Sequence, residues 1–589
     1  VSGFDFRARA LPEALAALRP FDRTLARWVL AHGGSPALAQ LAALAAFAEA
    51  QGHACLVPGL PGVPAHDPAL LASLAGEPLV GDGASCTPFV RDADGRFYLW
   101  RNFRHEQVAA TQLARRRAMA APPPAAALAA DLDVLCAGAL AADPLQRAAI
   151  AAAAGRRLLL LGGGPGTGKT STVLRMLLLL LRRATGAPPR IALAAPTGKA
   201  AQRLAESLRE GKARLGAELP DAWRDLLPRV REDEALTVHR LLGWHPALDR
   251  WRHDTRHPLP HDVVVVDECS MLDLAMLRAL LDALRPEATL VLVGDPDQLG
   301  SVGAGSVLAD LVAAIGAGDR GDLVRLTRVF RAGRALSGIT AAIGAGAAAA
   351  LDAALDAAGS AASIRPLAGA SALRAALHDW ADALAADWPR FGPDPAEPDA
   401  PARAAAALAA LRRRQLLCAL REGAWGAEAA NRVLVERLRA RFGEAGRGTS
   451  FAGRALLVTH NDPARRLYNG DVGIELEAPD GRLWAWFPAR DGAAGARAIA
   501  PAALPPHAAG FALTVHKSQG SEYDAVAVLL PPDAEHPILG RELLYTAASR
   551  ARSELALWAT PQALATCLAR TALRGGGLRA RLDEAAREA

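Results

Sequence analysis

The run "RRLLLLGGGPGTGKTS" at 156–171 constrains the chain more than any other stretch. Four consecutive leucines read as a strand buried on both faces. The glycines behind them can fold only as a tight loop, and the residues from Lys169 onward pattern as a helix. Within the run stands G-x-x-x-x-G-K-[ST] at 163–170: Gly163, Gly164, Pro165, Gly166, Thr167, Gly168, Lys169 and Thr170, followed by Ser171. Strand before and helix after are the contexts a phosphate-cradling loop requires. The glycines let backbone N–H groups curl around phosphate oxygens, and the helix N-terminus adds the positive end of its dipole. Lys169 would reach the β- and γ-phosphates of ATP, and Thr170 would hold Mg²⁺.

Three further apolar runs follow, "PRIALAAPT", "DVVVVDE" and "ATLVLVGD", each ending in Gly, Pro or Asp and leading into helical patterns. Four such signals predict an α/β fold with a parallel sheet covered on both faces. "VVVVDECS" closes a strand with Asp267 and Glu268. Asp267 is the second candidate Mg²⁺ ligand, and Glu268 the group that would orient and deprotonate an attacking water. Gln298 in "GDPDQLG" ends the next strand, where it could sense a γ-phosphate. Gln146 in "DPLQRAAI" precedes the phosphate loop, and its amide could pair with adenine and so select ATP over GTP.

Composition narrows the class further. At 589 residues the length predicts roughly four domains. Alanine-rich composition and few aromatics suit a helical or α/β globular chain. A net charge of +6 permits a nucleic-acid partner. Six scattered cysteines without a CxxC pair predict a reducing compartment. The one long apolar run, 176–181, is too short for a bilayer, and no signal-peptide pattern opens the chain, so the expected location is cytoplasmic with no membrane partner.

The expected organisation is a helix-rich domain over 1–118 ending in a strand-like "RFYLWRNFRHEQVAA", and a linker over 119–142 marked by the prolines of "AAPPPAAALAA". The first α/β domain follows at 143–325, with an insertion at about 206–260. A second spans 326–589. Its alanine-rich middle, about 340–410, predicts helices and a mobile surface segment around "WPRFGPDPAEPDAPAR". Asn-Gly and Asp-Gly turns in "NGDVGIELEAPDGRLWAWFPAR" predict a small β-rich insertion at about 460–510. "LTRVFR" and "LLYTAASRAR" each end an apolar segment in arginine, suited to stabilising charge on a transferring phosphoryl group.

In chain order, "LQRAAI", "GGPGTGKTST", "APTGKAAQRL", "TVHRLLG", "VVVVDECSM", "GDPDQLGSVGAG", "LTRVFR", "TVHKSQGSEYD" and "LYTAASRAR" resemble the motif series of superfamily 1 DNA helicases. Their wording is similar to the RecD branch, the alpha subunits of exodeoxyribonuclease V (RecBCD). The resemblance spans most of the chain and is weakest over 1–120 and 335–410. It implies two RecA-like P-loop lobes, an SH3-like insertion in the second, and a helical N-terminal domain docking on a RecC-like subunit. It implies ATP and Mg²⁺ as cofactors, with Arg331 and Arg550 facing the γ-phosphate and Glu522, with Gln519 and Gly520, approaching the nucleotide. Single-stranded DNA would run past Pro196, Thr197, Gly198, Lys199, Thr237 and His239, and past Thr514, His516 and Lys517. The implied activity is ATP-dependent 5′→3′ unwinding of DNA ends beside RecB-like and RecC-like partners, for break repair by homologous recombination and degradation of linear DNA. Cleavage would belong to the RecB-like partner.

Two other functions fit parts of the pattern. A free-standing RecD-like helicase usually carries a longer N-terminal extension than the 118 residues here. An assembly-only scaffold would have no need of an intact Lys169, Asp267, Glu268, Gln298, Arg331 and Arg550. His253, His257 and His261 share helical spacing, but Pro258 and Pro260 predict a polar loop there rather than a zinc site. "EGK" at 210–212 lacks the strand context of a nuclease. Cys269 reads as a small packed residue. Of only four lysines (Lys169, Lys199, Lys212, Lys517), three fall in the motif series. A compact ammonium suits a tight phosphate contact, which fits Lys517 in "TVHKSQGSEYD" to a grip on the DNA backbone.

Overall fold

A computed structural model describes residues 17–121, 123, 125–138, 143–316, 321–330, 334–367, 369–388, 400–442, 450–478, 482–489 and 495–588. The chain forms two compact units, Val1–Phe330 with Leu573–Ala589, and Arg331–Ala572.

The first unit is built on a six-stranded parallel sheet. Its spatial order is Leu236–Thr237, Ile191–Ala195, Val263–Val266, Thr289–Gly294, Leu158–Gly163, Leu323–Leu326. Alternate residues of each strand enter different cores. Leu158, Leu160, Val264, Val266, Leu290 and Leu292 pack on one face, with helices Leu274–Ala283 and Val307–Gly316. Leu159, Leu161, Val263, Val265, Val291 and Val293 pack on the other, under Pro144–Ala153, Lys169–Arg182 and Gly198–Glu218. Burial on both faces is why these strands lack polar alternation.

The N-terminal region carries helices Pro20–Ala31 and Pro36–Ala50 and a three-stranded sheet ending at Phe97–Leu99. The expected strand-like segment is therefore only three residues long. Trp100–Ala118 is a helix, and Phe103, Ala110 and Leu113 give it a buried face. The expected linker also differs: Ala125–Leu135 is helical, and Leu128, Leu132 and Leu135 sit in the first unit's core. Prolines before a helix are harmless to it, and the alanine–leucine run behind them favours helix. Nor does the second domain extend to 589, since Leu573–Ala589 belongs to the first unit. Gly198–Glu218 runs through the start of the expected 206–260 insertion as one helix.

The second unit has a five-stranded parallel sheet ordered Ala362–Arg365, Ala551–Trp558, Tyr523–Leu529, Arg414–Cys418, Ala512–Thr514. Helices Ala370–Asp387, Ala400–Leu411 and Ala427–Phe442 pack against it. The β-rich insertion is a five-stranded antiparallel sheet between Ala455 and Ala509. The proline-rich 389–399, expected as a mobile segment, lies outside the described residues. Among the described residues, no helix is long and apolar enough to cross a membrane.

Candidate nucleotide and nucleic-acid site

The sheet of the first unit aligns the predicted residues at one edge. Gly162 pairs with Gly294 and Val266 with Leu292, so the carboxyl ends of these three strands lie side by side. From them emerge the 163–168 loop, the Asp267–Glu268 pair and Gln298. Gly166 (φ 75°) and Gly168 (φ 83°) adopt the left-handed backbone that closes the loop. A Cβ on Gly168 would stand 2.9 Å from the Gln146 amide. The Lys169 ammonium donates to the carbonyls of Gly163 (2.6 Å) and Gly164 (3.0 Å). Thr170 and Ser171 occupy the first turn of Lys169–Arg182, and the Ser171 hydroxyl accepts from Arg175.

Burial, then Glu268, pushes the Asp267 carboxyl up to about 6 against the pull of Lys169. Burial likewise raises Asp295, again opposed by Lys169, which places that cation's field over both strand ends. Glu268 has φ 52°, ψ 38°. This left-handed conformation is uncommon for a non-glycine residue and is retained where surroundings enforce it. Gln298 is buried and donates from Nε2 to Asp295 Oδ2 at 3.1 Å. Cys269 is 1 % exposed, and its Sγ lies 2.8 Å from where a Cβ on Gly294 would stand. It fills space beneath the acidic pair.

Gln146 is completely buried. Asp143 caps its helix by accepting from the N–H groups of Leu145 and Gln146, both at 3.1 Å. The Gln146 Nε2 donates to the Thr167 carbonyl at 3.1 Å, which fixes the amide's orientation, and its Oε1 is a buried acceptor with no protein partner. Sequence reasoning passed over Phe330. Its N–H donates to Gly166 O at 3.0 Å, its ring lies 3.8 Å from a Cβ placed on Gly168, and Arg328 sits 4.9 Å above that ring. An aromatic residue one position before the motif's arginine was the available signal. Arg331 itself lies outside the described residues.

The predicted DNA-contacting residues of the first unit also converge. Ala195 pairs with Thr237, so Pro196 to Lys199 leave the sheet beside Thr237 and His239. Thr197 and Thr237 each cap a helix, accepting from Ala200 N and Arg240 N at 3.2 Å. His239 packs on Trp251, 5.6 Å between ring centres, and Trp251 on Trp244 at 4.5 Å. Elsewhere His253 Nδ1 meets the His257 carbonyl at 3.1 Å, and Lys212 is paired with Glu232 at 2.6 Å.

In the second unit, Cys418 pairs with Thr514 at the sheet's carboxyl edge, and His516–Ser518 form a single turn. Lys517 N donates to Thr514 Oγ1 at 3.4 Å. Burial and then Arg421 lower the Lys517 ammonium's pKa, partly offset by Glu428. The motif's other end turns to Arg550, which is 3 % exposed and donates to the carbonyls of Thr546 (3.1 Å) and Ser521 (3.2 Å). Glu522, expected near nucleotide, accepts from Arg552 at 3.1 Å.

A family model described as an AAA domain matches residues 146–304, and one described as a UvrD-like helicase C-terminal domain matches 509–558. The RecBCD enzyme subunit RecD of Mycolicibacterium smegmatis is 40% identical over 413 residues, covering 67% of this chain and 67% of that protein. The chain belongs to the RecD family. The RecD subunit of Mycobacterium tuberculosis is 40% identical over 405 residues, 67% of this chain and 65% of that protein, so the chain spans just under two thirds of this relative's length. The ATP-dependent RecD2 DNA helicase of Deinococcus radiodurans is 32% identical over 372 residues, 62% of this chain and 42% of that protein. The AAA-domain match begins at Gln146 and the UvrD-like match closes at Trp558, past Arg550, and neither includes Phe330 or the Leu573–Ala589 segment.

Proposed function

We propose that this RecD-family chain is an ATP-dependent 5′→3′ DNA helicase subunit, working with RecB-like and RecC-like partners on DNA ends in break repair and degradation of linear DNA. The observation that carries the proposal is the convergence of Lys169, Asp267, Glu268 and Gln298 at one sheet edge, beside the orphan oxygen of Gln146. The Gln146 Oε1 would accept from the adenine amino group, and the exposed Phe330 ring offers a face for the base. Lys169 would leave its two loop carbonyls for phosphate oxygens. Thr170 and Asp267 are the residues that would hold Mg²⁺. The fit lies in the donor set, since an Asp pushed upward by burial and a neighbouring carboxylate is suited to a cation. A bound Mg²⁺ neutralises phosphate charge.

Glu268 would orient the attacking water and take its proton, and Gln298 beside it would sense the γ-phosphate. Arg550, together with Arg331, is proposed to stabilise charge on the transferring phosphoryl group. Pro196, Thr197, Gly198, Lys199, Thr237 and His239 would hold the backbone of single-stranded DNA, as would Thr514, His516 and Lys517. Backbone contacts suit a motor that moves without reading bases.

Strand displacement from duplexes with a 5′ or a 3′ single-stranded tail tests the proposal. The full chain should displace only the 5′-tailed strand. Lys169→Ala and Glu268→Gln should each lower DNA-stimulated ATP hydrolysis at least about hundredfold. Undiminished hydrolysis in both variants rejects the site, and equal action on both tails rejects the polarity.

A further inference from the structure

The chain passes from the second unit back to the first at Ala572–Leu573. Two residues into that return, Arg574 meets the loop that follows Gln298. Its guanidinium donates to three carbonyls of that loop, Ser301 (2.5 Å), Gly303 (3.1 Å) and Gly305 (3.0 Å). The carbonyls flanking Val302 are thus both held, while Val302 itself is 78 % exposed.

The loop is secured from other sides too. Gly305 N–H donates to Gly52 O at 3.0 Å, and Leu274 N–H to Ala304 O at 3.1 Å. A Cβ on Gly303 would stand 2.5 Å from a carboxylate oxygen of Asp273, the residue that caps the helix after the Glu268 turn. One short loop therefore links Gln298 to the segment carrying Glu268.

Arg574 is itself braced. Gly575 N–H donates to His53 Nδ1 at 3.0 Å, and Ala54 N–H donates to Gly575 O at 2.7 Å. His53 Nδ1 accepts, so its Nε2 carries the proton toward Pro61 O at 3.3 Å. Gly577 N–H donates to Glu106 Oε1 at 2.8 Å. The guanidinium sets its donors at separate points along the loop, one terminal nitrogen on Ser301 and the other on Gly303 and Gly305, whereas a lysine ammonium would present all its donors from one atom.

We propose that Arg574 is a positioning residue for ATP hydrolysis, fixing the 300–305 loop so that Gln298 and the Glu268 turn hold their places. This rests on Gln298 and Glu268 being the hydrolytic groups.

The test uses the full chain as Arg574→Ala, Arg574→Lys and Glu268→Gln, with ATP hydrolysis measured with and without single-stranded DNA and ADP affinity measured directly. Arg574→Ala should lower DNA-stimulated kcat about tenfold while KM for ATP and ADP affinity change less than twofold, and Arg574→Lys should recover only a small part of the loss. Unchanged kcat, or a kcat loss matched by an equal loss of ADP affinity, overturns the proposal. If Arg574→Ala fails to fold, Arg574→Lys alone decides, by a severalfold kcat loss at normal ADP affinity or by none. Full activity in Glu268→Gln would reject the underlying site. A dead Glu268→Gln with a normal Arg574→Ala rejects the positioning role alone.

Discussion

Gln146 shows how a single side chain can reveal a ligand. A fully buried amide oxygen without a partner is unfavourable by about 1–3 kcal/mol, so its position is explained best by an acceptor role toward something that binds there. Gln146→Ala should raise KM for ATP roughly tenfold and bring GTP close to ATP as a substrate, as steady-state kinetics with both nucleotides would show. Lys517 belongs to a different side of its motif from Arg550: it lies in the field of Arg421 and Glu428, while the following turn is bonded to Arg550 through Ser521. Lys517→Ala should therefore cut DNA-stimulated turnover severalfold and leave ATP binding unchanged, and equal loss of both would contradict that division. At this scale the sequence was explicit wherever a residue type is demanded by chemistry, as with Lys169, Asp267 and Glu268. It was silent on backbone conformation and on cross-chain contacts. Nothing in "VVVVDECS" announces a left-handed Glu268, and nothing near 574 announces three carbonyls awaiting an arginine.

Elements were legible where burial imposes a pattern. The strands of both parallel sheets stand out because both faces are covered, which leaves unbroken apolar runs. Ala125–Leu135 was missed because its buried leucines are diluted by alanine and preceded by prolines, a composition that reads equally as linker or helix. The C-terminal helix Leu578–Glu588 was misplaced for another reason. Its partners, Trp100–Ala118 and Val307–Gly316, lie hundreds of residues away, and no local pattern names them. That docking gathers Glu106, Asp310, Arg574 and Arg581 in one place. Burial, then the Glu106 carboxylate, pushes the Asp310 carboxyl up to about 7, against Arg579 and Arg574. An unfolded aspartate titrates near about 4, so folding here favours the proton. The stabilising contribution is complete below about pH 4 and is lost as pH rises through about 7. Asp310→Asn should accordingly melt roughly 2 °C above the parent at pH 8 and no higher at pH 5, by calorimetry or circular dichroism. A gain of equal size at both pH values would show that charge is not the cause.

For the molecule as a whole, both chain crossings between units lie next to loops of the nucleotide site. Phe330 bonds the phosphate loop at Gly166 immediately before the chain leaves the first unit, and Arg574 bonds the 300–305 loop immediately after it returns. Partner binding is then expected away from these loops, and the N-terminal helix Pro20–Ala31 offers a surface for it. Asp22, Ala26 and Val29 face inward, whereas Phe21 is 57 % exposed and Trp28, seven residues on and stacked on His32 at 4.3 Å, is 38 % exposed. Two large aromatics on the outward face of one helix are the kind of residue that anchors a protein interface. If the chain works beside RecB-like and RecC-like subunits, the double variant Phe21→Ser, Trp28→Ser should lose those partners on purification from the native host. Its DNA-stimulated ATP hydrolysis should stay within twofold of the parent, because neither residue touches the nucleotide loops. Retention of both partners would move the interface off this helix. A parent chain that purifies without partners would favour a free-standing helicase, and hydrolysis lost along with the partners would show that assembly, as well as Arg574, holds the site in order.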